Sequence, residues 1–399
     1  MDQIANDRRP VKRAWRVGAS GRDMLKLVIR MSAEQRPARW GVRRSESSEI
    51  AAWRHILFAH AMVFLRNDHM TRAPRAAGSL VAPFSASIRR SSRLVGVALV
   101  LAVNRLGAQT PHDTVTVTGI VVYRVNPSVA DSSSDRRFDN PHYISFDRSA
   151  KADAPLLVFF PGTGGRPQNT TVFSDVAVKQ GYRVIGLEYV DTPAVQQVCP
   201  REPDPGCAEK VRRKRIYGDD VTSLIDDRAE ESIVARLTKL LAYLDRQHPG
   251  EHWSQYLKDG QPDWSRIAVS GLSQGAGMAA YIAQRTMVAR AVLFSSPWDN
   301  YGPRHVLAPW VTRGSGATPS DRWYAAYHRN ENTADLIARA YSALRIPRDH
   351  IHVFTLEPAA ILSQNPNHLS VVTNGATPRK ADGTPAYLEE WRAMLGDMR

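Results

Sequence analysis

The sequence predicts an α/β fold in which helices cover both faces of a mostly parallel central sheet, preceded by a non-globular amino-terminal region. Three observations carry this prediction. From Thr114 onward, short apolar runs alternate with longer amphipathic ones. One of the short runs, Leu156 to Phe160 (LLVFF), is apolar at every position, as a strand covered on both faces must be. Charge is also segregated: residues 1–108 hold 20 Lys+Arg against 7 Asp+Glu, whereas residues 109–399 hold 33 against 32.

That segregation bears on function before any motif is read. The whole chain carries a formal +14, which by itself suggests a nucleic-acid partner. Because +13 of it lies before Gln109, the globular part is nearly neutral and presents no basic footprint, so nucleic acid is excluded as its partner. No apolar run reaches the roughly 18 residues of a membrane-spanning helix. The basic excess reads instead as targeting: Arg89, Arg90 and Arg93 precede the apolar run Leu94 to Val103, and Leu106-Gly107-Ala108 follows it. Basic, apolar and small-residue regions in that order describe a secretory signal peptide cleaved after Ala108, giving an exported, periplasmic or secreted protein. Met70 supplies a start that puts this signal (70–108) at the beginning of the chain and leaves 1–69 as a basic extension or a mis-called start.

The globular part, 109–399, opens with two strands, Val115 to Val125 and His142 to Arg148, expected as an antiparallel edge. Leu156 to Phe160 is the first buried central strand and ends at Pro161-Gly162; Tyr182 to Val190 is the next. The chain then leaves the alternation for an excursion over about 191–228. It contains Cys199 and Cys207, the only cysteines, separated by the turn-rich PREPDPG. In an exported protein these are expected to form one disulfide closing a small surface loop. The basic run Arg212 to Arg215 is followed by Asp219, Asp220, Asp226 and Asp227, and is expected to be a solvated, self-compensating face. Ile233, Leu237, Leu240, Leu241 and Leu244 mark a long amphipathic helix. Strands at Arg266 to Ser270, Ala291 to Ser295, Arg322 to His328 and His350 to Glu357 complete the sheet, with helices at Ala334 to Leu344 and about Pro385 to Leu395. Trp298, Trp310, Trp323 and Trp391 are expected to be core rather than pocket lining.

The chemistry concentrates in Gly271-Leu272-Ser273-Gln274-Gly275, a G-x-S-x-G pentapeptide between an apolar strand and an Ala-rich helix. A nucleophile on so sharp a turn needs small neighbours two positions away, because the chains on either side must approach closely. On these residues the chain resembles the α/β-hydrolase superfamily over about 156–372, with surroundings similar to bacterial esterases and, more loosely, to cutinase-type enzymes. The resemblance implies a triad in chain order Ser, acid, His. Ser273 is the nucleophile. His368, in the polar loop NPNHLS past the last strand, is the base. Glu331, 58 residues after Ser273 and 37 before His368, stands where the acid is expected; Asp299 is the alternative, one strand earlier, and Glu357 a third. The loop PGTGG after Leu156–Phe160 implies an oxyanion site made by the Thr163 and Gln274 N–H groups, although Pro161 replaces the usual His.

These expectations add up to an exported serine hydrolase of carboxylesterase or lipase type, acting on a small-molecule or lipid-like ester. No nucleotide-binding or metal-ligand motif is present, so no cofactor is expected. A non-catalytic secreted binding protein on the same fold and an acyltransferase with the same triad are the two other readings of these residues.

Overall fold

The computed structural model describes residues 119–399 together with the two-residue strand Thr114–Val115. The expected extension (1–69) and signal peptide (70–108) lie outside the described residues.

Nine of the described strands form one sheet, and four other two-residue strands form two separate antiparallel ribbons, Leu257–Lys258 with Gln261–Pro262 and Asn300–Tyr301 with Val306–Leu307. In chain order the strands of the nine-stranded sheet are β1 (Thr114–Val115), β2 (Ile120–Val125), β3 (His142–Asp147), β4 (Leu156–Phe160), β5 (Arg183–Gly186), β6 (Ile267–Leu272), β7 (Arg290–Phe294), β8 (Trp323–His328) and β9 (Ile351–Phe354). In space the order is β1-β2-β3-β5-β4-β6-β7-β8-β9. β1, β2, β3 and β5 pair antiparallel in succession, and every pairing from β5 to β9 is parallel. The leading run is two strands rather than one, because Gly119 turns the chain at φ +82° and Thr114 comes to lie opposite Val122. The Tyr182–Val190 run contributes only β5 to the sheet. Leu187 N–H still donates to Phe159 O, after which the chain departs.

Strand alternation distributes the core. Leu156, Val158 and Phe160 of β4 point into one hydrophobic layer, and Leu157 and Phe159 into the other. The first layer is closed by helices α2 (Cys207–Tyr217), α3 (Ile233–Gln247), α4 (Gln274–Arg285) and α5 (Ala334–Ala343). The second is closed by α1 (Thr171–Lys179) and by the last helix, Leu388–Leu395. Helices thus cover both faces of the sheet, as the sequence predicts. Trp310, Trp323 and Trp391 are fully buried, each donating its indole N–H within the core. Among the described residues no helix is long and apolar enough to cross a membrane.

The excursion departs from expectation in two respects. Cys199 and Cys207 are joined as a disulfide, but both are buried, so the link lies beneath the surface at the start of α2. The basic run is not a solvated face. Arg212 and Arg215, three residues apart on one side of α2, are 0% and 1% exposed. Arg212 holds Asp299 through two hydrogen bonds, Nε and Nη2 each at 2.6 Å, and its guanidinium lies over the Trp310 ring. Arg215 holds Asp227 at 2.7 Å and donates to Pro193 O. Only Arg213, paired with Asp219, follows the expected pattern; Lys214 is itself buried and reaches out to the exposed Asp220. The charges do compensate, but half of that compensation takes place inside the protein.

Removing one member of a fully buried pair leaves an uncompensated charge, which costs about 3–5 kcal/mol, whereas replacing both by apolar groups is often neutral. R212M is therefore expected to lower the unfolding free energy by about that amount, and R212M/D299L to recover part of it, the buried Trp310 indole N–H then lacking its acceptor, as measured by guanidinium denaturation. An R212M protein as stable as the parent would contradict this role for the pair.

Candidate active site

Ser273 stands between β6 and α4 with φ 55° and ψ −120°, a conformation that costs a non-glycine residue on the order of 1–3 kcal/mol. The surroundings hold it there. Ser273 N–H donates to Phe294 O at the end of β7, and Ser273 O accepts from Gly277 N–H, both at 3.0 Å. The flanking glycines are required by close approach: a Cβ on Gly275 would stand 2.0 Å from Phe160 O, and one on Gly271 would stand 2.5 Å from the Gly275 carbonyl carbon. The pentapeptide lets β6, the end of β4 and the start of α4 meet at one point.

Glu331 follows β8 and is 4% exposed. Its Oε1 accepts from the Ser295 hydroxyl and from the His328 backbone N–H, each at 2.9 Å. Its Oε2 lies 2.6 Å from His368 Nδ1, in the short helix α6 (Pro366–Ser370) beyond β9. An ionised carboxylate only accepts, so Nδ1 carries the proton and Nε2 is left as an acceptor. The other two acids are accounted for elsewhere. Asp299 is committed to Arg212, Gln196 and the Trp310 indole, which explains why a carboxylate follows β7 without meeting the histidine. Glu357 is exposed beyond the end of β9.

The turn bearing Ser273 thus follows β6, the carboxylate follows β8 and the histidine follows β9, all at carboxyl ends of parallel strands. The chain has the α/β-hydrolase fold. No protein-family model and no curated protein matches the sequence. Among solved structures, the apo form of Thermogutta terrifontis esterase 2 is similar at 14% identity and a TM-score of 0.39, over 70% of this chain and 96% of that one. A bacterial heroin esterase is similar at 15% identity and a TM-score of 0.38, over 71% and 86%.

Within this α/β-hydrolase framework, Ser273 and His368 line one cavity of about 410 Å³. No hydrogen bond joins them there; such contacts commonly tighten only when substrate is bound. Phe159, Leu272, Leu362 and Leu369 supply its apolar lining, and Thr163, in the loop after β4, lies on its wall. That loop is fixed from behind. Gly165 N–H closes a turn onto Gly162 O, the Tyr189 hydroxyl donates to Pro161 O, and Gly164 N–H donates to the Asp191 carboxyl, whose pKa burial raises. Among the described residues neither the Thr163 N–H nor the Gln274 N–H at the start of α4 donates to a protein acceptor. Both amides are available to a developing negative charge. A larger groove of about 760 Å³ lies beside Lys151, Lys179 and the carboxyl terminus, but no histidine lines it.

Ser295 is a residue the sequence reading did not single out. It closes the AVLFS run with φ 53°, is fully buried, and is placed by β7 beside the carboxylate that follows the neighbouring β8. A hydroxyl residue at the end of the strand adjoining the acid's strand is the signal that could have found it. Chemically, the arrangement offers a hydroxyl on a largely buried turn that opens into the cavity, an imidazole whose free nitrogen can act as a proton acceptor, and a buried carboxylate to support the resulting imidazolium. S295A removes one of the two donors on Glu331 Oε1, a loss of about 1 kcal/mol. It is expected to slow labelling of Ser273 by a fluorophosphonate about fivefold, and an unchanged labelling rate would remove Ser295 from this role.

Proposed function

We propose that this protein is an exported serine hydrolase that cleaves carboxylic esters through a covalent acyl-enzyme. Ser273 Oγ attacks the ester carbonyl carbon while His368 Nε2 takes the hydroxyl proton. Glu331 keeps the proton-bearing Nδ1 in place and stabilises the imidazolium. The Thr163 and Gln274 amides stabilise the oxyanion, donors of this kind being worth about 3–4 kcal/mol each toward the transition state. The C–O bond to the alcohol then breaks, and His368 returns the proton to the departing alkoxide. Water, activated by the same imidazole, attacks the acyl-enzyme and releases the acid.

The observation that carries this reading is the 2.6 Å hydrogen bond between Glu331 and His368 at the edge of the cavity that Ser273 also lines. The strained elbow and two uncommitted amides support it. Export rests on the basic, apolar and small-residue order before Gln109, and a buried disulfide is compatible with it.

S273A is expected to abolish fluorophosphonate labelling and to lower p-nitrophenyl ester hydrolysis on the order of 10⁴-fold or more, with the protein still folded by circular dichroism. Unchanged labelling and hydrolysis would rule the reading out. Product analysis with added alcohols separates hydrolysis, which yields the free acid, from acyl transfer, which yields a new ester.

A further inference from the structure

The Ser273 cavity is lined by one residue of fixed charge, Arg166, and by no carboxylate. Its backbone is held firmly. Arg166 N–H donates to Asn169 Oδ1 at 2.8 Å, Asn169 N–H donates back to Arg166 O at 2.9 Å, and Pro167 follows. This segment is also joined to the opposite wall of the cavity: Asn374 N–H donates to Asn169 O, while the Asn374 side chain donates to Gln168 O and accepts from Val172 N–H. The anchoring of Arg166 is thus rigid and its side chain is exposed.

Among the described residues the Arg166 guanidinium has no hydrogen-bond or ion-pair partner. Arg212, Arg215 and Arg236 differ in this respect, since each holds a carboxylate. The Glu188 carboxyl feels the charge of Arg166 but does not pair with it. Burial pushes Glu188 up to about 7, its hydrogen bond comes from Asn140, and it is not part of the cavity lining. A planar, permanently charged fork without a partner, on a residue that lines the cavity of Ser273, suits a carboxylate or comparable anion on the molecule bound there.

Resting on the ester-hydrolase reading above, we infer that Arg166 is a specificity-determining residue, selecting esters that carry an anionic group on their acyl or alcohol part. The apolar lining then receives the hydrocarbon portion, and the guanidinium receives the charged end. A neutral ester makes only the first of these contacts.

Matched pairs test this. The mono-p-nitrophenyl ester of succinic acid is compared with p-nitrophenyl butyrate for an acyl-side anion, and 4-acetoxybenzoate with phenyl acetate for an alcohol-side anion. In the parent protein at least one anionic ester is expected to exceed its neutral partner about fivefold in kcat/KM, mainly through KM, the size that a solvent-accessible charge pair allows. The pair showing the effect identifies the side that carries the anion. R166Q is expected to bring that ratio near one and R166K to restore part of it, and added salt should weaken the preference in the parent alone. Neutral esters hydrolysed as well as both anionic ones, or a preference that persists in R166Q, would overturn the inference and leave the ester-hydrolase reading intact. A folded parent that cleaves none of the four esters and takes no fluorophosphonate would overturn that reading instead.

Discussion

The Glu331 carboxylate is the interaction on which the site depends. A buried carboxylate is tolerated only if its oxygens are satisfied, and here each oxygen has a separate duty. Oε1 accepts from Ser295 and from the His328 amide, which fixes the group between the ends of β7 and β8. Oε2 is thereby aimed at His368, more than thirty residues further along the chain. If Oε1 lacked its two donors, the carboxylate would have to be paired elsewhere or neutralised, and the imidazole would lose the partner that sets its tautomer. The geometry therefore links strand pairing directly to the orientation of the imidazole.

A second carboxylate shows that sequence position alone does not assign roles. Asp299 follows β7 much as Glu331 follows β8, yet its oxygens are taken by the Arg212 guanidinium, the Gln196 amide and the Trp310 indole. It fastens the disulfide-containing excursion to the sheet, close to the helix that begins after Ser273. The same excursion touches the site through Val195, whose N–H donates to the Gln274 side chain at 3.4 Å. One acid thus supports the framework and the other supports the imidazole. The division follows from which strong donor reaches each carboxylate first in space.

Much of this was legible in the sequence because it is written locally. The elbow shows in Gly271, Ser273 and Gly275, whose spacing reflects chain contacts within a few residues. β4 shows in five consecutive apolar residues, and His368 in its place past the last strand. What was not legible depends on distant partners. The burial of Arg212 and Arg215 rests on Asp299, 87 residues away, and on Asp227; a count of neighbouring charges registers compensation but not depth. The choice between Asp299 and Glu331 is likewise a long-range fact, as is the support from Ser295. The break at Gly119 and the early end of β5 are local, but they are set by which neighbour the backbone pairs with rather than by side-chain pattern.

The most direct test of the site is the turnover of E331Q on a p-nitrophenyl ester, with D299N measured alongside for folding and activity. Glutamine keeps the shape of the side chain but removes the charge and can present an amide donor to Nδ1, favouring the wrong tautomer. A fall in kcat on the order of 10⁴-fold for E331Q, with KM little changed, is the predicted result. Near-parent turnover by E331Q, or a comparable loss confined to a still-folded D299N, would contradict the assignment of Glu331 as the partner of His368.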